Sequence, residues 1–147
     1  MPMPITIRPM TLADYDAVWA LMLATPGVSR RAADSREAIE RYLARNPGLS
    51  QVAESDGRLV GCVFAGHDGR RGTLNHLIVH PDARRQGLGR RLVERALDGL
   101  EAAGIMKSYI FVFADNEDAL AFWRALGWQL RDDTRSFSFN RSGDPNA

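Results

Sequence analysis

The chain has 147 residues, 45% of them hydrophobic and 25% charged, which is typical of one ordinary globular domain. A formal net charge of +1 disfavours a general nucleic-acid binder, because such proteins carry a strong basic excess. The lone Cys62 excludes an intrachain disulfide framework and favours a reducing compartment, and no apolar run approaches the ~20 residues of a membrane helix. Together with an N-terminus that lacks the layout of a secretion signal, these features predict a cytoplasmic protein.

Hydrophobic periodicity and turn residues divide the chain into helices and strands. Thr11 and either Asp34 or Ser35 are the predicted N-caps of the first two helices. In chain order the predicted elements are a strand at Ile5–Arg8, a helix carrying Leu12 to Leu23, a helix carrying Ala38 to Leu43, strands at Ser50–Ser55, Arg58–Gly66 and Thr73–Val79, a helix at Gly87–Ala103, a strand at Lys107–Ala114, a helix at Asp118–Leu126, and strands at Trp128–Leu130 and Ser136–Phe139. This order predicts one mixed α/β domain over residues 1–147, with helices packed on a sheet and a disordered polar tail at 140–147.

The segment RRQGLGRR (84–91) has the features of an anion site at the start of a helix. Gly87 and Gly89 allow a sharp turn and a close approach by a ligand. The first N–H groups of the following helix have no internal partners, and phosphate is their usual ligand. The triphosphate loop is excluded because no Gly-Lys-Ser/Thr follows, and the dinucleotide fingerprint is excluded because its third glycine is missing. The alternative is a tightly packed helix start surrounded by solvated arginines.

Two motifs in the chain resemble those of one enzyme superfamily. Arg84-x-x-Gly87-x-Gly89, directly after a strand that ends in LIVHP, resembles the acetyl-CoA loop of the GNAT superfamily of N-acetyltransferases. The segment NEDALAFWRALGW (116–128) resembles the superfamily's Asn-x-x-Ala-x-x-Phe-Tyr-x-x-x-Gly-Phe segment. The order of elements also fits from Ile5 to Phe139, and the turn GHDGRRG (66–72) resembles the bacterial YpeA-type subgroup.

The resemblance implies a fold, a cofactor and a reaction. The fold would be a central mixed, mostly antiparallel sheet with helices on both faces. An acetyl group would move from acetyl-CoA to a primary amine by direct attack in a ternary complex, with a backbone N–H near Leu77 or Val79 polarising the thioester carbonyl. The implied cofactor-binding residues are Leu77, Ile78 and Val79 for the pantetheine arm, Arg84, Arg85, Gln86, Gly87, Leu88, Gly89 and Arg90 for the pyrophosphate, Asn116 near the thiol, and Phe122 packed beside it.

The catalytic groups of the superfamily are not matched. Trp123 lies where the motif usually has the tyrosine that protonates the leaving thiolate, and an indole cannot serve as that acid. The alternative role for Trp123 is core packing beside Phe122. The positions that often carry a basic glutamate are Thr73 and Phe111, neither of which is a base.

Two residues are candidates for the missing acid and base. His76 is the candidate base because histidine titrates near neutrality, although strand alternation predicts that it faces away from Thr73 and Asn75. The alternative for His76 is a satisfied, partly buried histidine. Tyr109 is the candidate acid, and a chain of water molecules could replace either group.

The scarcity of bases favours an acceptor that is already partly neutral. With reference pKa values, roughly 14% of an α-amine is neutral at pH 7, against about 0.04% of a lysine side chain. The expected partner is therefore a small-molecule or peptide amine rather than lysine. The segment between the first two helices borders the acceptor pocket in GNAT-like proteins, so its charged residues either select substrate or form solvated surface: Arg30, Arg31, Asp34 and Glu37.

The sequence is also compatible with another class of function. The rival is a non-catalytic acyl-CoA-binding or sensing module, in which Thr73, Phe111 and Trp123 mark lost chemistry. The three histidines do not have a metal-ligand pattern, so no metal is expected. Nucleic acid and membranes are not expected partners, and the sequence leaves a homodimer open. Cys62 is expected to be a buried, inert thiol.

Overall fold

The computed structural model describes residues 4–28 and 30–147. They form two compact units, one ending at Ile110 and the other running from Phe111 to Ala147. In chain order the elements are β1 (Thr6–Pro9), α1 (Tyr15–Leu23), α2 (Arg36–Arg45), β2 (Gln51–Ser55), β3 (Arg58–His67), β4 (Gly72–Val79), α3 (Leu88–Ala102), β5 (Ser108–Ile110) and α4 (Glu117–Ala125). All but α4 belong to the first unit.

The five strands form one sheet in the order β1-β2-β3-β4-β5. The first three pairings are antiparallel. Short turns join β2, β3 and β4 in a meander, whereas α1 and α2 lie between β1 and β2. At the first of these turns Asp56 and Gly57 both adopt positive φ, of 54° and 73°. The pairing of β4 with β5 is parallel, since α3 forms the crossover between them. The prediction of a mixed, mostly antiparallel sheet is confirmed.

Helices cover both faces of the sheet. Gly61 and Cys62 follow one another in β3 and therefore face opposite ways. Cys62 belongs to a buried cluster with Val18 of α1 and Ile39 of α2. A Cβ on Gly61 would lie 3.1 Å from the Leu92 side chain of α3, so α3 covers the other face. This confirms the predicted arrangement of the helices.

The start of α2 resolves an alternative left open by the sequence. The amide of Ala38 donates to Ser35 Oγ over 3.2 Å, so Ser35 is the N-cap. Asp34 ends the preceding 3-10 turn, Ala32–Asp34, and its carboxylate accepts from the amide of Arg31 instead of capping α2. Cys62 is buried, and this burial raises the pKa of its thiol to about 12. The thiol therefore stays protonated at neutral pH.

Three of the predicted strands need correction. The strand at Lys107–Ala114 is limited to Ser108–Ile110, and the segments Trp128–Leu130 and Ser136–Phe139 are not strands. Strand structure needs a hydrogen-bonded neighbour as well as an alternating pattern. The alternating Phe137 and Phe139 are 98% and 86% exposed, so they lack the buried face that the alternation predicts.

A buried carboxylate connects β1 to the turn that precedes α1. Asp14 accepts hydrogen bonds from Arg8 Nη1 and Nη2 at 2.9 and 2.7 Å, and from the amide of Thr11 at 2.9 Å. Arg8 also bonds Glu54 of β2. The bonds from Arg8 are the main cause of a lowered pKa for Asp14, and burial opposes them only in part. The ionised form of Asp14 therefore stabilises the fold.

We expect Asp14→Asn to lower the free energy of unfolding by about 1–3 kcal/mol at pH 7, because charge-assisted bonds to Arg8 are lost. A group whose folded pKa is depressed contributes stability above its ordinary value, here 3.8, and loses that contribution as pH falls through the folded pKa. The difference in free energy of unfolding between wild type and variant should therefore become smaller below pH 4. Urea denaturation from pH 7 to 3 measures it.

Asp16→Asn is the matched control, since the Asp16 side chain is 95% exposed and lies 3.9 Å from Arg36. We expect a change within about 0.5 kcal/mol at every pH. A gap between wild type and Asp14→Asn that stayed constant down to pH 3 would contradict the assigned role of the Asp14 charge.

Candidate functional site

The edge of β4 is open where it approaches α3. β5 pairs only with Gly72–Leu74, so residues 75–79 have no strand partner on that side within the described part of the chain. These residues include Leu77, Ile78 and Val79. An extended ligand with amide groups can pair with such an edge as an added strand would. The predicted pantetheine-binding residues therefore lie on a strand edge that has no strand partner among the described residues.

A loop rich in unpaired amides follows this edge. Among the described residues, none of the backbone N–H groups of residues 85–90 donates a hydrogen bond. Arg85 and Gly87 adopt left-handed φ values of 64° and 72°, which curve the loop as it enters α3. A Cβ on Gly87 would meet nothing within 4 Å. Unpaired amides at the positive end of a 15-residue helix suit the pyrophosphate of coenzyme A.

The arginines around this loop differ in their hydrogen bonds and ion pairs. Arg84 donates from Nε to the Val79 carbonyl at 3.1 Å, which connects the loop to the end of β4. Arg90 lies 3.9 Å from Glu94, and Arg91 reaches the Ile5 carbonyl at 3.5 Å. Arg84, Arg85 and Arg90 are exposed, and Gln86 is exposed beside them. They can add charge-assisted donors to an anion held by the amides.

His76 lies at an irregularity of β4. Two residues of β4, His76 and Leu77, oppose the single Val63 of β3, which makes a β-bulge, and His76 has a left-handed φ of 47°. Its ring stands edge-on to Phe64, with 5.7 Å between the centroids. Asn75 is the cross-strand partner of Phe64, so His76 shares a face with Asn75. The prediction that alternation sets them on opposite faces is wrong, because the bulge interrupts it.

The structure also joins His76 to an acidic group that the sequence did not associate with it. His76 Nε2 lies 2.9 Å from Asp34 Oδ1. Asp34 was expected to cap α2 or to select substrate. No periodicity connects residues 42 positions apart, so only the packing of the α1–α2 segment against β4 could reveal this pair.

Tyr109, the candidate acid, lies in β5. It pairs in parallel register with Thr73, three residues before His76, and therefore shares a face with Thr73. The side chain is 37% exposed, and Lys107 Nζ is 5.8 Å from the centroid of its ring. Its role as an acid stays a prediction.

The remaining predicted residues belong to the second unit. Asn116 Oδ1 accepts a hydrogen bond from the amide of Ala119 at 3.1 Å, so Asn116 is the N-cap of α4. This role was not predicted from the sequence. Trp123 is buried and contacts Phe122 and Trp128, with ring centroids 5.2 and 4.7 Å apart. These contacts favour the packing alternative for Trp123. The roles of Asn116 and Phe122 toward coenzyme A stay predictions.

The described residues contain neither a metal-binding cluster nor a membrane-spanning helix. No group of three or more histidine, cysteine or carboxylate side chains there could hold a metal ion. In residues 4–28 and 30–147 no helix is long and apolar enough to cross a membrane.

Comparisons with known proteins agree with this geometry. The model of the acetyltransferase (GNAT) family matches residues 15–128. An acetyltransferase of Pectobacterium atrosepticum is 37% identical over 99 residues, which are 67% of this chain and 70% of that protein.

Solved structures with the same fold extend the comparison. The PaiA N-acetyltransferase of Thermoplasma acidophilum, solved in complex with coenzyme A, superposes with a TM-score of 0.75 at 19% identity, covering 88% of this chain and 92% of that one. The ribosomal-protein-S18-alanine N-acetyltransferase of Escherichia coli gives a TM-score of 0.67 at 26% identity, covering 84% and 77%.

An open strand edge that leads into a loop of unpaired amides suits an acyl-CoA, and the family match makes the protein an acyl-CoA-dependent transferase. The chain belongs to the acetyltransferase (GNAT) family, as its family match shows. Acetyl-CoA is its cosubstrate, and the resemblance predicted from the two motifs is confirmed. The YpeA-type detail stays a prediction.

Proposed function

We propose that the protein transfers the acetyl group of acetyl-CoA to a primary amine on a peptide N-terminus or small molecule, with His76 accepting the proton. The observation that carries this proposal is the continuity of two features. The free edge of β4, residues 75–79, leads directly into the unpaired amides of residues 85–90. His76 lies at the start of that edge.

The reaction balances without a covalent enzyme intermediate. The thioester supplies an activated acetyl group, and the nitrogen of the amine forms a bond to its carbonyl carbon while the carbon–sulfur bond breaks. The β4 edge and the loop would hold acetyl-CoA, and an amine placed beside His76 would meet the thioester in line, which removes much of the entropic barrier. His76 takes the proton lost by the nitrogen, and the departing thiolate takes a proton from solvent or from Tyr109.

The acceptor class follows from proton affinity. An imidazole ordinarily titrates far below a lysine ammonium, so it removes a proton from an α-ammonium at a much smaller free-energy cost. The structural neighbour of Escherichia coli is named for an alanine of a ribosomal protein, and the only amine of alanine is its α-amine. Both points favour an α-amine over a lysine side chain.

Two measurements test the proposed function. Calorimetry should detect coenzyme A binding to the intact protein. Thiol release should then be faster with a lysine-free peptide that has a free N-terminus than with the same peptide carrying an acetylated N-terminus and one lysine. Cys62 adds no background to a thiol assay in the folded protein, because it is buried. Faster release with the lysine peptide would contradict the acceptor class.

Binding without release for any amine would instead favour the sensing module. We also propose that the chain is a single catalytic domain, that it is cytoplasmic and has no nucleic-acid partner, and that each named cofactor-binding residue has the role given above. A homodimer also stays open.

A further inference from the structure

Asp34 is held in one orientation by the groups around it. Its side chain is only 9% exposed. The amide of Arg31 donates to Oδ2 at 2.8 Å, and His76 lies 2.9 Å from Oδ1. The backbone carbonyl of Asp34 accepts from Tyr15 Oη of α1 at 2.8 Å, which anchors the residue itself. The carboxylate therefore cannot turn away from the imidazole without losing other bonds.

The Asp34 carboxylate is ionised at neutral pH. Burial by itself raises the pKa of Asp34, but the hydrogen bonds from His76 and from the Arg31 amide lower it, and the net pKa lies below the ordinary value. An ionised carboxylate only accepts hydrogen bonds. The proton between the two groups is therefore on His76 Nε2, and in the neutral imidazole the free acceptor is Nδ1.

The backbone of His76 supports a functional reading of this pair. A left-handed φ of 47° is unusual for a residue with a side chain, and such residues concentrate at functional sites. This conformation belongs to the bulge that carries the ring to the face covered by α1 and α2. Leu77–Val79, the open edge expected to hold the pantetheine arm, begins at the next residue.

We propose that Asp34 is a positioning residue for acetyl transfer: it holds His76 as the Nε2–H tautomer, so that Nδ1 accepts the proton of the attacking amine. This inference rests on the proposed function of His76. The step moves one proton from the amine nitrogen to Nδ1, and the resulting imidazolium is stabilised by the carboxylate. Asp34 itself stays ionised throughout, as an orienting carboxylate does in other histidine bases.

Several groups around His76 bear on its protonation. Asp34 faces the ring from the α1–α2 segment, and Tyr15 bonds the backbone of Asp34. From β3, Cys62 Sγ lies 3.4 Å from the His76 carbonyl. Tyr42 of α2 lies beyond Phe64, with 6.2 Å between their ring centroids. Of these groups, only Asp34 is charged at neutral pH.

The first experiment reads the tautomer directly and does not depend on activity. Long-range proton–nitrogen correlation spectra of the protein labelled with 15N-histidine should show Nε2 protonated and Nδ1 bare in His76, assigned by its disappearance in His76→Gln. The Nδ1–H tautomer would overturn the inference. Asp34→Asn should move population toward that tautomer, because an amide can donate as well as accept.

The second experiment separates positioning from a purely structural contact. Asp34→Asn should lower kcat about 10- to 100-fold, less than the 10²- to 10⁴-fold typical of losing a general base, with the KM for acetyl-CoA within about threefold. In a His76→Gln background the same change should alter kcat by less than about twofold.

Asp98→Asn is the control, since Asp98 is exposed on α3, and its kcat should equal that of wild type. A kcat of Asp34→Asn equal to that of the control, with coenzyme A binding and turnover intact in wild type, would overturn this inference alone. Absence of turnover in wild type would instead contradict the proposed function, and the tautomer spectrum would still decide the orientation of His76.

Discussion

Gly89→Pro is expected to weaken coenzyme A binding about 10- to 100-fold, because it removes one amide from the loop that we expect to hold the pyrophosphate. A hydrogen bond to a charged group contributes roughly 1.5–3 kcal/mol. Gly89 lies in the first turn of α3, where amides have no intrahelical acceptor, so proline is compatible with the helix there. Calorimetric titration with coenzyme A measures the change.

Gly89→Ala is the matched control for this prediction. It also adds a side chain at the same position but keeps the N–H, and alanine has the higher helix propensity. Because it adds only a methyl group and keeps the N–H, we expect its Kd for coenzyme A to lie between those of wild type and Gly89→Pro, and thermal unfolding should show that both variants fold. Equal affinities for the two variants would mean that the amide of Gly89 does not bind the cofactor.

The sequence predicted the first unit well, because its signals there are local. Apolar periodicity located α1, α2 and α3, and glycine turns located the meander of β2, β3 and β4. The glycine loop could be predicted for the same reason: Gly87 adopts the positive φ that glycine favours and directly precedes the start of α3. Motif spacing then connected this loop to a known family.

The predictions that failed depend on contacts between distant residues. The pairing of a strand is decided by its neighbour, so the alternation of Phe137 and Phe139 indicated a strand that the structure does not form. The bulge at His76 interrupts an alternation that the sequence leaves regular. Asp34 lies 42 residues from His76, and only the fold shows that they meet. Catalytic geometry was therefore the part least accessible from the sequence.

Leu92→Ala is expected to lower the free energy of unfolding by about 2–5 kcal/mol, the range measured when large aliphatic side chains are deleted from protein cores. Leu92 is completely buried, and a Cβ on Gly61 of β3 would lie 3.1 Å from its Cδ1, so α3 and the sheet are in close contact there. The cavity that Leu92→Ala would leave cannot be filled easily, because Gly61 has no side chain to move into it. Urea denaturation measures this change in free energy, and thermal unfolding should show a fall in Tm of roughly 5–20 °C.

Leu23→Ala is the matched control, since Leu23 ends α1 with 55% of its surface exposed, and we expect it to change stability by less than about 1 kcal/mol.

The Leu92→Ala variant also tests how stability and binding are connected, when calorimetric titration with coenzyme A is applied to it. Leu92 lies two residues after the loop of residues 85–90, so its loss should let the start of α3 move relative to β4. We therefore expect weaker coenzyme A binding by Leu92→Ala even where the protein is fully folded. Unchanged affinity would show that the loop keeps its conformation independently of the α3–β3 contact.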